Sequence, residues 1–444
     1  MRRIAGLFLV LSATLACVTA EGPDSSAAPY DIATDISLFL LTDDPSVEKQ
    51  VLERLKSNEV SSSTVKSILR TTLPKKSTQP IGLQLDRKFK MNGKTYSYAL
   101  HVPASVSPNT PMIVVMHGMG GSGANTIQAW VERLGKEFVI LCPSYPMGAW
   151  WSKNAEELVL KLVDETRTTY PINPNRVFLA GLSNGAIGAY LIGMFYPDRF
   201  AGIVPIAGSI TERYMHFLVN LRNTPAYLIQ GAFDPIFPIE LTRRVHKILT
   251  DIKSPVVYRE HQEQGTAHGG HFLPESEVPA LIEWLKKQRR NPSPKVVRMT
   301  REANHLERIF WVGVTRGLKL AALQIPGPEM EPLNIHDGKI ATLFAADKGN
   351  NRFEVMGKNL IEFEMHLSSD RTDFDQPVVV TFQPIRDEGK LLVPGEKFVA
   401  FHKKVEKDPG VLLGGFKRFR DPDLLFDATI KVSAQKAVDF AVLP

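Results

Sequence analysis

The sequence predicts an α/β protein with a doubly wound, mostly parallel sheet, a short helical lead-in before it and a sandwich-like all-β unit after it. Three observations predict this. Short, fully apolar runs alternate with helix-length segments between residues 111 and 287, as in parallel βαβ units. From residue 295, apolar residues recur at every second position, which is typical of antiparallel strands. The 444 residues suffice for two or three units of ordinary size.

The first 20 residues have the features of an export signal. Arg2 and Arg3 precede an apolar stretch, and small residues precede the polar Glu21. The apolar stretch is too short to span a bilayer. We therefore expect a secreted or periplasmic protein without a stable membrane span, with lipoprotein anchoring through Cys17 as an alternative.

Composition narrows the function further. The formal net charge of +6 is spread along the chain and does not form the basic cluster that nucleic-acid binding requires. Removal of the signal would leave Cys142 as the one cysteine, so no intrachain disulfide is expected. The glycine-rich run 118–123 lacks the Lys-Ser/Thr ending of a phosphate loop, and His268 and His271 lack a third ligand at zinc spacing. We expect neither a cofactor nor a metal.

The elements before the sheet come in two parts. Residues 21–80 are polar, with two short amphipathic patterns, and we predict a helical or partly disordered lead-in. From residue 81, alternating residues flank Asn92-Gly93, which predicts a β-hairpin at the antiparallel edge of the sheet.

The remaining elements define the predicted domains. Strands are predicted at 111–117, 138–141, 177–180, 203–206, 226–229 and 256–258, and helices at 128–134, 155–168, 241–249 and 277–287. This gives an α/β domain over 81–290, a linker at the Pro-rich 291–294 and a β-rich domain over 295–444. The β-rich domain is interpreted as a packing unit, with a polymer- or glycan-binding module as the alternative.

Ser183 is the candidate nucleophile. The apolar strand VFLA is followed by Gly-Leu-Ser-Asn-Gly and then by a helical run of small and apolar residues. A strand, tight turn and helix of this kind lift a serine hydroxyl above the carboxyl edge of a parallel sheet. The alternative is a serine that caps a structural turn.

The candidate acid and base follow in the chain. Asp234 comes directly after the strand AYLIQG, and His271 lies between the last strand and the closing helix. Serine attack on an acyl group needs a base for the hydroxyl proton and an acid that orients the base. We favour His271 over His268 because His271 directly precedes Phe-Leu-Pro and the helix. His268 would then be an exposed loop histidine or part of the pocket rim.

Backbone amides are the expected oxyanion donors. One would come from Asn184, directly after the serine, and the other from Met119 in the turn after His117. His117 itself is interpreted as structural. Trp150 and Trp151 follow a strand on the loop side, where adjacent indoles could line an acyl or sugar pocket or pack between loop and helix.

Five segments together resemble the secreted esterase branch of the α/β-hydrolases: HGMGG, GLSNGAIG, MFYPDRFAGIVPIAGS, GAFDPIFP and GGHFLPE. Within that branch they are similar to the poly(3-hydroxybutyrate) depolymerase, feruloyl and acetylxylan esterase group and to the phospholipase/carboxylesterase group. The resemblance covers about residues 85–290. It implies hydrolysis of carboxylic esters through an acyl-enzyme, with Ser183, Asp234 and His271 as triad.

Two departures and two alternatives accompany the resemblance. Ala186 stands where many of these esterases have a second glycine, and the single mature cysteine departs from the disulfide-bearing depolymerases and feruloyl esterases.

A serine peptidase of the prolyl-oligopeptidase type shares the triad order, although the region before the domain is too short for a propeller. A non-catalytic exported binding protein on the same scaffold is the second alternative. The acyl and alcohol parts of the substrate are not predicted.

Overall fold

The computed structural model describes residues 30–436, apart from 73, 75, 266–267, 306–307, 319, 321–339 and 389–390. The predicted export signal lies outside the described residues. Within them, no helix combines the length and apolar character needed to cross a bilayer.

The described chain forms helices and strands with the following bounds. The helices are α1 (Ile32–Leu41), α2 (Pro45–Ser57), α3 (Ser62–Thr71), α4 (Gly123–Leu134), α5 (Lys153–Thr169), α6 (Asn184–Phe195), α7 (Glu212–Met215), α8 (Ile239–Asp251), α9 (Val278–Lys287) and α10 (Pro409–Phe419). The strands are β1 (Gly82–Met91), β2 (Lys94–Val102), β3 (Thr110–Met116), β4 (Val139–Pro143), β5 (Ile172–Leu182), β6 (Gly202–Ile206), β7 (Ala226–Gly231), β8 (Val256–His261), β9 (Val296–Arg301), β10 (Arg308–Ile309), β11 (Val312–Gly317), β12 (Ala341–Asp347), β13 (Arg352–Lys358), β14 (Leu360–Leu367), β15 (Val378–Glu388), β16 (Leu391–Pro394), β17 (Phe398–Lys403) and β18 (Ala428–Ser433).

The first sheet has eight strands in the order β1-β2-β4-β3-β5-β6-β7-β8. The last six strands in this order, from β4 to β8 and including β3, pair in parallel with their neighbours. Strand β2 pairs antiparallel with both β1 and β4. Asn92 and Gly93 both have positive φ, as a type I′ hairpin turn requires. The predicted hairpin at the antiparallel edge is therefore confirmed.

Helices cover both faces of this sheet. Apolar residues of α4 and α9, such as Ile127 and Leu281, form a core on one face. Residues of α5, α6 and α8, such as Leu158 and Ile192, form a larger core on the other. The unbroken apolar runs of the central strands are buried because each strand contacts both cores. This is the doubly wound arrangement that the sequence predicts.

Two further sheets follow. One has the order β10-β11-β14-β18, and the other has the order β16-β15-β13-β12-β9 with β17 paired to β15. The pairings are antiparallel except for β13 with β15. A single apolar core contains inward residues of both sheets, among them Val355 and Phe363. The two sheets thus pack face to face, which is the predicted sandwich-like architecture.

The helical lead-in packs against a helix from the other end of the chain. Residues of α1, α2 and α3 share an apolar core with Leu412, Leu413 and Phe416 of α10. The all-β pattern did not predict α10. The Lys66 ammonium and the Asp427 carboxylate, both buried, form an ion pair of 2.6 Å between α3 and the segment before β18. The lead-in is therefore helical and joined to the C-terminal region.

Candidate active site

Ser183 lies at a strained turn between β5 and α6. Its backbone has φ 59° and ψ −120°, a left-handed conformation that costs a non-glycine residue roughly 1–3 kcal/mol. Its amide donates to the carbonyl of Ile206 at 3.0 Å, which fixes the turn against β6. A Cβ on Gly181 would lie 2.1 Å from the Gly185 carbonyl oxygen, so strand and helix meet this closely only without a side chain there. Ser183 is half-buried at the carboxyl edge of the sheet.

Asp234 lies in the turn after β7, and its carboxylate is fully buried. Oδ1 accepts hydrogen bonds from the amides of Ile236 at 2.8 Å and Phe237 at 3.0 Å. Oδ2 accepts one from the side-chain amide of Gln230 at 2.8 Å. Sequence reasoning missed Gln230, although its position on β7, four residues before Asp234, was a usable signal. These donors hold the carboxylate in one orientation.

His271 is hydrogen bonded to this carboxylate. Its Nδ1 lies 2.9 Å from Asp234 Oδ2, and its ring stacks on Phe237 with centroids 5.9 Å apart. The Asp234 carboxylate only accepts hydrogen bonds, and three N–H groups already donate to it. The Nδ1 atom of His271 must therefore carry the imidazole proton, so Nε2 is the basic nitrogen. The histidine loop is held against the Asp234 turn by a glycine contact, since a Cβ on Gly231 would lie 2.2 Å from the Gly270 oxygen.

Ser183 lies two strands away from the Asp234 turn. Strand β6 separates β5 from β7, so their backbones are about 10 Å apart at this edge. An imidazole between a carboxylate and a hydroxyl spans such a gap. Among the described residues, neither Ser183 Oγ nor His271 Nε2 forms a hydrogen bond. The structure thus joins Asp234 to His271 and places Ser183 at the same edge.

His268 has a different position. Its side chain is exposed, and no described residue hydrogen bonds to its ring. Its carbonyl accepts the amide of His271 at 3.0 Å, which closes the histidine loop. Of the two histidines, His271 is the one that hydrogen bonds to Asp234 within the described residues.

The turn after β3 lies against the serine. A Cβ on Gly118 would be 3.2 Å from Ser183 Cβ and 3.7 Å from Ser183 Oγ. The turn is closed by the Gly121 amide, which donates to the Gly118 carbonyl at 3.2 Å and leaves the Met119 amide outside that bond. Asn184 is the first residue of α6, so its amide has no acceptor within the helix. Both predicted oxyanion donors belong to turns that adjoin Ser183.

His117 fixes this turn to the neighbouring loop. Its Nε2 accepts the amide of Tyr145 at 3.1 Å, and its Nδ1 lies 2.7 Å from the Gly118 carbonyl. Burial lowers the pKa of His117, so the ring is neutral with its proton on Nδ1. The His117 carbonyl accepts the indole N–H of Trp150 at 2.8 Å. These contacts support the structural interpretation of His117.

The two tryptophans are not equivalent. Trp150 is fully buried beneath the turn and packs edge-on against His117, with ring centroids 5.0 Å apart. The pocket-lining interpretation is therefore wrong for Trp150, because the hydrogen bond to His117 draws the indole into the core. Trp151 is half-buried and packs against the same core. In the part of the chain that the structure describes, no three metal-ligating side chains cluster.

Sequence comparisons agree with the fold. The sequence pattern of the phospholipase/carboxylesterase family matches residues 151–289. A poly(3-hydroxyalkanoate) depolymerase C from Paucimonas lemoignei is 30% identical over 149 residues, which cover 28% of this chain and 36% of that protein. A putative esterase, NocK, from Nocardia uniformis subsp. tsuyamanensis is 25% identical over 35% of this chain and 49% of its own length. An acyl-protein thioesterase 1 from Eremothecium gossypii is 24% identical over 42% of this chain and 92% of its own.

The sheet order, the turn at Ser183 and the family match define an α/β-hydrolase domain. The sequence similarity of this domain is to esterases, as the sequence predicts. The aligned regions span between a third and a half of the first two relatives, so their similarity concerns this domain.

Proposed function

We propose that the protein is a serine esterase that hydrolyses carboxylic esters through an acyl-enzyme. The main support for this proposal is the 2.9 Å hydrogen bond between Asp234 and His271. It lies at the same edge of the sheet as the strained turn that contains Ser183. The similarity to esterases and to a thioesterase supports the same class of acyl transfer. Such a site needs no group beyond these side chains and two amides.

The mechanism assigns one role to each group. Ser183 Oγ attacks the ester carbonyl carbon while His271 Nε2 takes its proton, and Asp234 stabilises the imidazolium through Nδ1–H. The amides of Met119 and Asn184 donate to the oxyanion, and one such donor contributes about 2.7–4 kcal/mol. The imidazolium then protonates the leaving alcohol, and the acyl group stays on Oγ. Water, deprotonated by Nε2, then attacks the acyl carbon, and Nε2–H returns the proton to Oγ as the bond from the acyl carbon to Oγ breaks, which releases the acid and restores Ser183.

Active-site labelling tests the proposal. The purified protein is incubated with a fluorophosphonate probe and assayed on p-nitrophenyl butyrate and on a peptide amide. We expect one labelled site and ester turnover in the wild type, and neither in Ser183→Ala, whose circular dichroism should be unchanged. Ser209→Ala, also at the carboxyl edge after β6, is the matched control and should label normally. Absence of labelling in the folded wild type would favour the binding-protein alternative, and cleavage of the amide alone would favour the peptidase.

We also propose that the protein is exported, with cleavage near Ala20. The support is the sequence alone: a basic start, a short apolar stretch and the small residues Val18-Thr19-Ala20. Expression of the full chain in a bacterial host, followed by fractionation and N-terminal sequencing, tests it. A mature protein beginning near Glu21 is expected, and an intact Met1 in the cytoplasm would contradict the proposal. Lipidation of Cys17 would appear as an added mass at that residue.

A further inference from the structure

A cavity of about 480 Å³ lies where three parts of the chain meet, and we call it the interdomain cavity. Its walls come from the segment after α6, from the β-rich region around β10 and β14, and from α10 with the segment that follows it. Helix α6 begins at the serine turn and its 12 residues span about 18 Å, so the cavity lies at the opposite end of that helix from Ser183. Small-molecule sites have volumes of this order and often lie between domains.

Basic side chains outnumber acidic ones in the walls of this cavity by five to two. The basic ones are Lys153, Arg199, Arg301, Arg308 and Arg418. Both acids already accept hydrogen bonds: Asp198 accepts the amide of Phe310 at 3.0 Å, and Glu364 accepts His366 Nε2 at 2.9 Å. Lys153 and Arg199 have carboxylate partners behind the wall. The excess positive charge therefore belongs to the arginines of the β-rich region and of α10.

Arg308 brings a buried charge to the wall of the cavity. Its side chain is 7% exposed, and among the described residues it forms an ion pair with Asp198 at 3.3 Å and a hydrogen bond to the Phe310 carbonyl. An arginine has five N–H groups, so these contacts leave donors for a further acceptor. Burial lowers the pKa of Arg308, Asp198 opposes this in part, and the Arg418 guanidinium lowers it further. The protein thus compensates the charge of Arg308 only in part.

Arg308 and Arg418 lie over the same aromatic ring. Their guanidinium carbons are 4.4 and 5.2 Å from the centroid of Phe419, so the two like charges are at most about 10 Å apart. Salt screens exposed charges over about 8 Å under physiological conditions, but it screens buried charges much less. An anion between the two groups would offset their repulsion. Phosphate and carboxylate groups are the anions whose geometry fits the guanidinium fork.

Helix α10 leaves space for the rest of such a ligand. Val411, Gly415 and Arg418 are spaced by four and three residues, so they line the cavity from one face of the helix. Gly415 is half-buried, yet a Cβ there would meet no described atom of another element within 4 Å. Glycine disfavours a helix, and the packing around this position does not require it. The space beside Gly415 is therefore available to a bound molecule.

We propose that the interdomain cavity binds a small organic acid, with its phosphate or carboxylate group between Arg308 and Arg418 and the rest of the molecule beside Gly415. The acidic group accepts hydrogen bonds from both guanidinium groups and compensates their charge. The site is separate from the candidate active site, and the inference does not depend on the proposed esterase function. The β-rich region would then contribute to a ligand site in addition to packing against the first domain.

Isothermal titration of the purified protein tests the proposal. The probes are citrate and glycerol 3-phosphate in Tris buffer at low salt, and glycerol is the neutral counterpart of the phosphate ester. We expect one acid molecule to bind per chain and glycerol not to bind. Arg418→Gln should raise Kd at least about tenfold, because the guanidinium charge is lost. Arg70→Gln, at an exposed arginine in the last turn of α3, is the matched control and should keep the wild-type Kd.

A second pair of variants tests the space beside α10. Gly415→Leu should raise Kd at least about tenfold, because its side chain extends into the cavity, whereas Gly415→Ala should stay within about threefold. Both variants should keep or raise the thermal unfolding midpoint, since Leu and Ala favour a helix over Gly.

The outcomes identify the ligand class or reject the site. Binding of citrate alone would indicate a carboxylate ligand, and binding of glycerol 3-phosphate alone would indicate a phosphate ester; either supports the proposal. Failure of both acids to bind, or equal binding of glycerol, would overturn it. A Kd that Arg418→Gln or Gly415→Leu leaves unchanged would also overturn it, because the acid would then bind elsewhere.

Discussion

The two ends of the parallel strands are built from opposite chemistry. At the amino ends of β5 and β6, where the β-sandwich contacts the α/β-hydrolase domain, ion pairs are buried, such as Arg290 with Asp421 and Arg308 with Asp198. At the carboxyl ends, the turns around Ser183 carry one carboxylate and several exposed apolar side chains. Buried ion pairs thus lie at the interface between the two domains. The edge that would receive substrate in the proposed function has almost no charged side chains in these turns.

This contrast has a consequence for mutations. A change at the carboxyl edge should reduce turnover with little effect on folding, because Ser183 and His271 lie half-buried in turns outside the apolar cores. A change at the amino end should reduce stability with little effect on turnover per folded molecule. Four substitutions, two at each edge, test this separation.

The largest expected effect is that of His271→Ala on turnover. Loss of the base should reduce kcat for p-nitrophenyl butyrate by about 10⁴-fold or more, because Oγ is then not deprotonated during attack. The thermal unfolding midpoint should change little. His268→Ala is the matched control and should stay within about threefold of the wild type, since its ring is exposed and forms no hydrogen bond to a described residue. If the two results are reversed, the base is His268.

Asp421→Asn should have the largest effect on stability. Asp421 accepts two hydrogen bonds from Arg290, at 2.6 and 3.0 Å, and lies 3.8 Å from Arg167. Burial opposes its ionisation, but the two guanidinium groups outweigh burial and hold the pKa of Asp421 far below its usual range. Removal of the carboxylate leaves the buried Arg290 guanidinium without its ion-pair partner and leaves Arg167 with Asp164 at 4.0 Å, which costs about 3–5 kcal/mol.

Urea unfolding at pH 7 measures this cost. Asp375→Asn, at a fully exposed carboxylate of the same β-rich region, is the control and should change the unfolding free energy by less than about 0.5 kcal/mol. kcat of the folded Asp421→Asn protein should match the wild type. A stable Asp421→Asn protein with reduced kcat would show that the two edges are coupled and would break the comparison.

Gln230→Met tests whether the buried amide of Gln230 positions Asp234 at the carboxyl edge. Gln230 is fully buried, and its amide donates to the Asp234 oxygen that also accepts from His271. A hydrogen bond to a charged group contributes about 1.5–3 kcal/mol, so its loss should lower kcat about 10- to 100-fold with KM nearly constant. Thr242→Val is the matched control, because the Thr242 hydroxyl donates to the Gln230 carbonyl oxygen at 3.4 Å, on the side of the amide away from Asp234. A rise in KM at constant kcat would contradict a role in positioning Asp234.

These residues differ in how far sequence could predict them. The strand, turn and helix around Ser183 were predictable because an apolar run, two glycines and a helical pattern lie within 14 neighbouring residues. The Asn92-Gly93 hairpin was predictable for the same reason, since its turn chemistry is local. Asp234 and His271 could be proposed from their positions after strands, but their contact is a property of the folded chain.

The missed features depend on contacts between distant segments. α10 has three glycines, which disfavour a helix, and it forms because Leu412, Leu413 and Phe416 pack against the lead-in helices. Its one local signal was Asp408 before Pro409, a helix cap followed by a first-turn proline. The ion pair of Arg290 and Asp421 joins residues 131 positions apart, and no local sequence pattern predicts such a pair.

The smallest predicted effect concerns His305, which joins the β-rich region to α5. Its Nδ1 lies 2.5 Å from Glu302, its Nε2 lies 3.2 Å from Glu156, and its ring stacks on Phe195. Lys153 and the Tyr196 hydroxyl also contact Glu156. Burial alone would lower the pKa of His305, but the bonds to the two carboxylates outweigh burial and raise it. The His305 imidazole therefore binds its second proton more tightly in the folded protein than in the unfolded chain.

His305→Gln should accordingly destabilise the protein in a pH-dependent way. A histidine with a raised pKa contributes its full stabilisation below its unfolded pKa, about 6.5, and loses it as the pH rises through the folded value. We expect a loss of about 1–2 kcal/mol at pH 6 and a smaller loss at pH 9, because Gln keeps hydrogen bonds to the carboxylates but not the charge. Urea unfolding at the two pH values measures the difference, and His246→Gln, at a half-buried histidine of α8 whose ring packs on Tyr258, is the control. A difference that grows with pH would mean that His305 is neutral between the two carboxylates, and the amino end would then be held by fewer charges than the comparison requires.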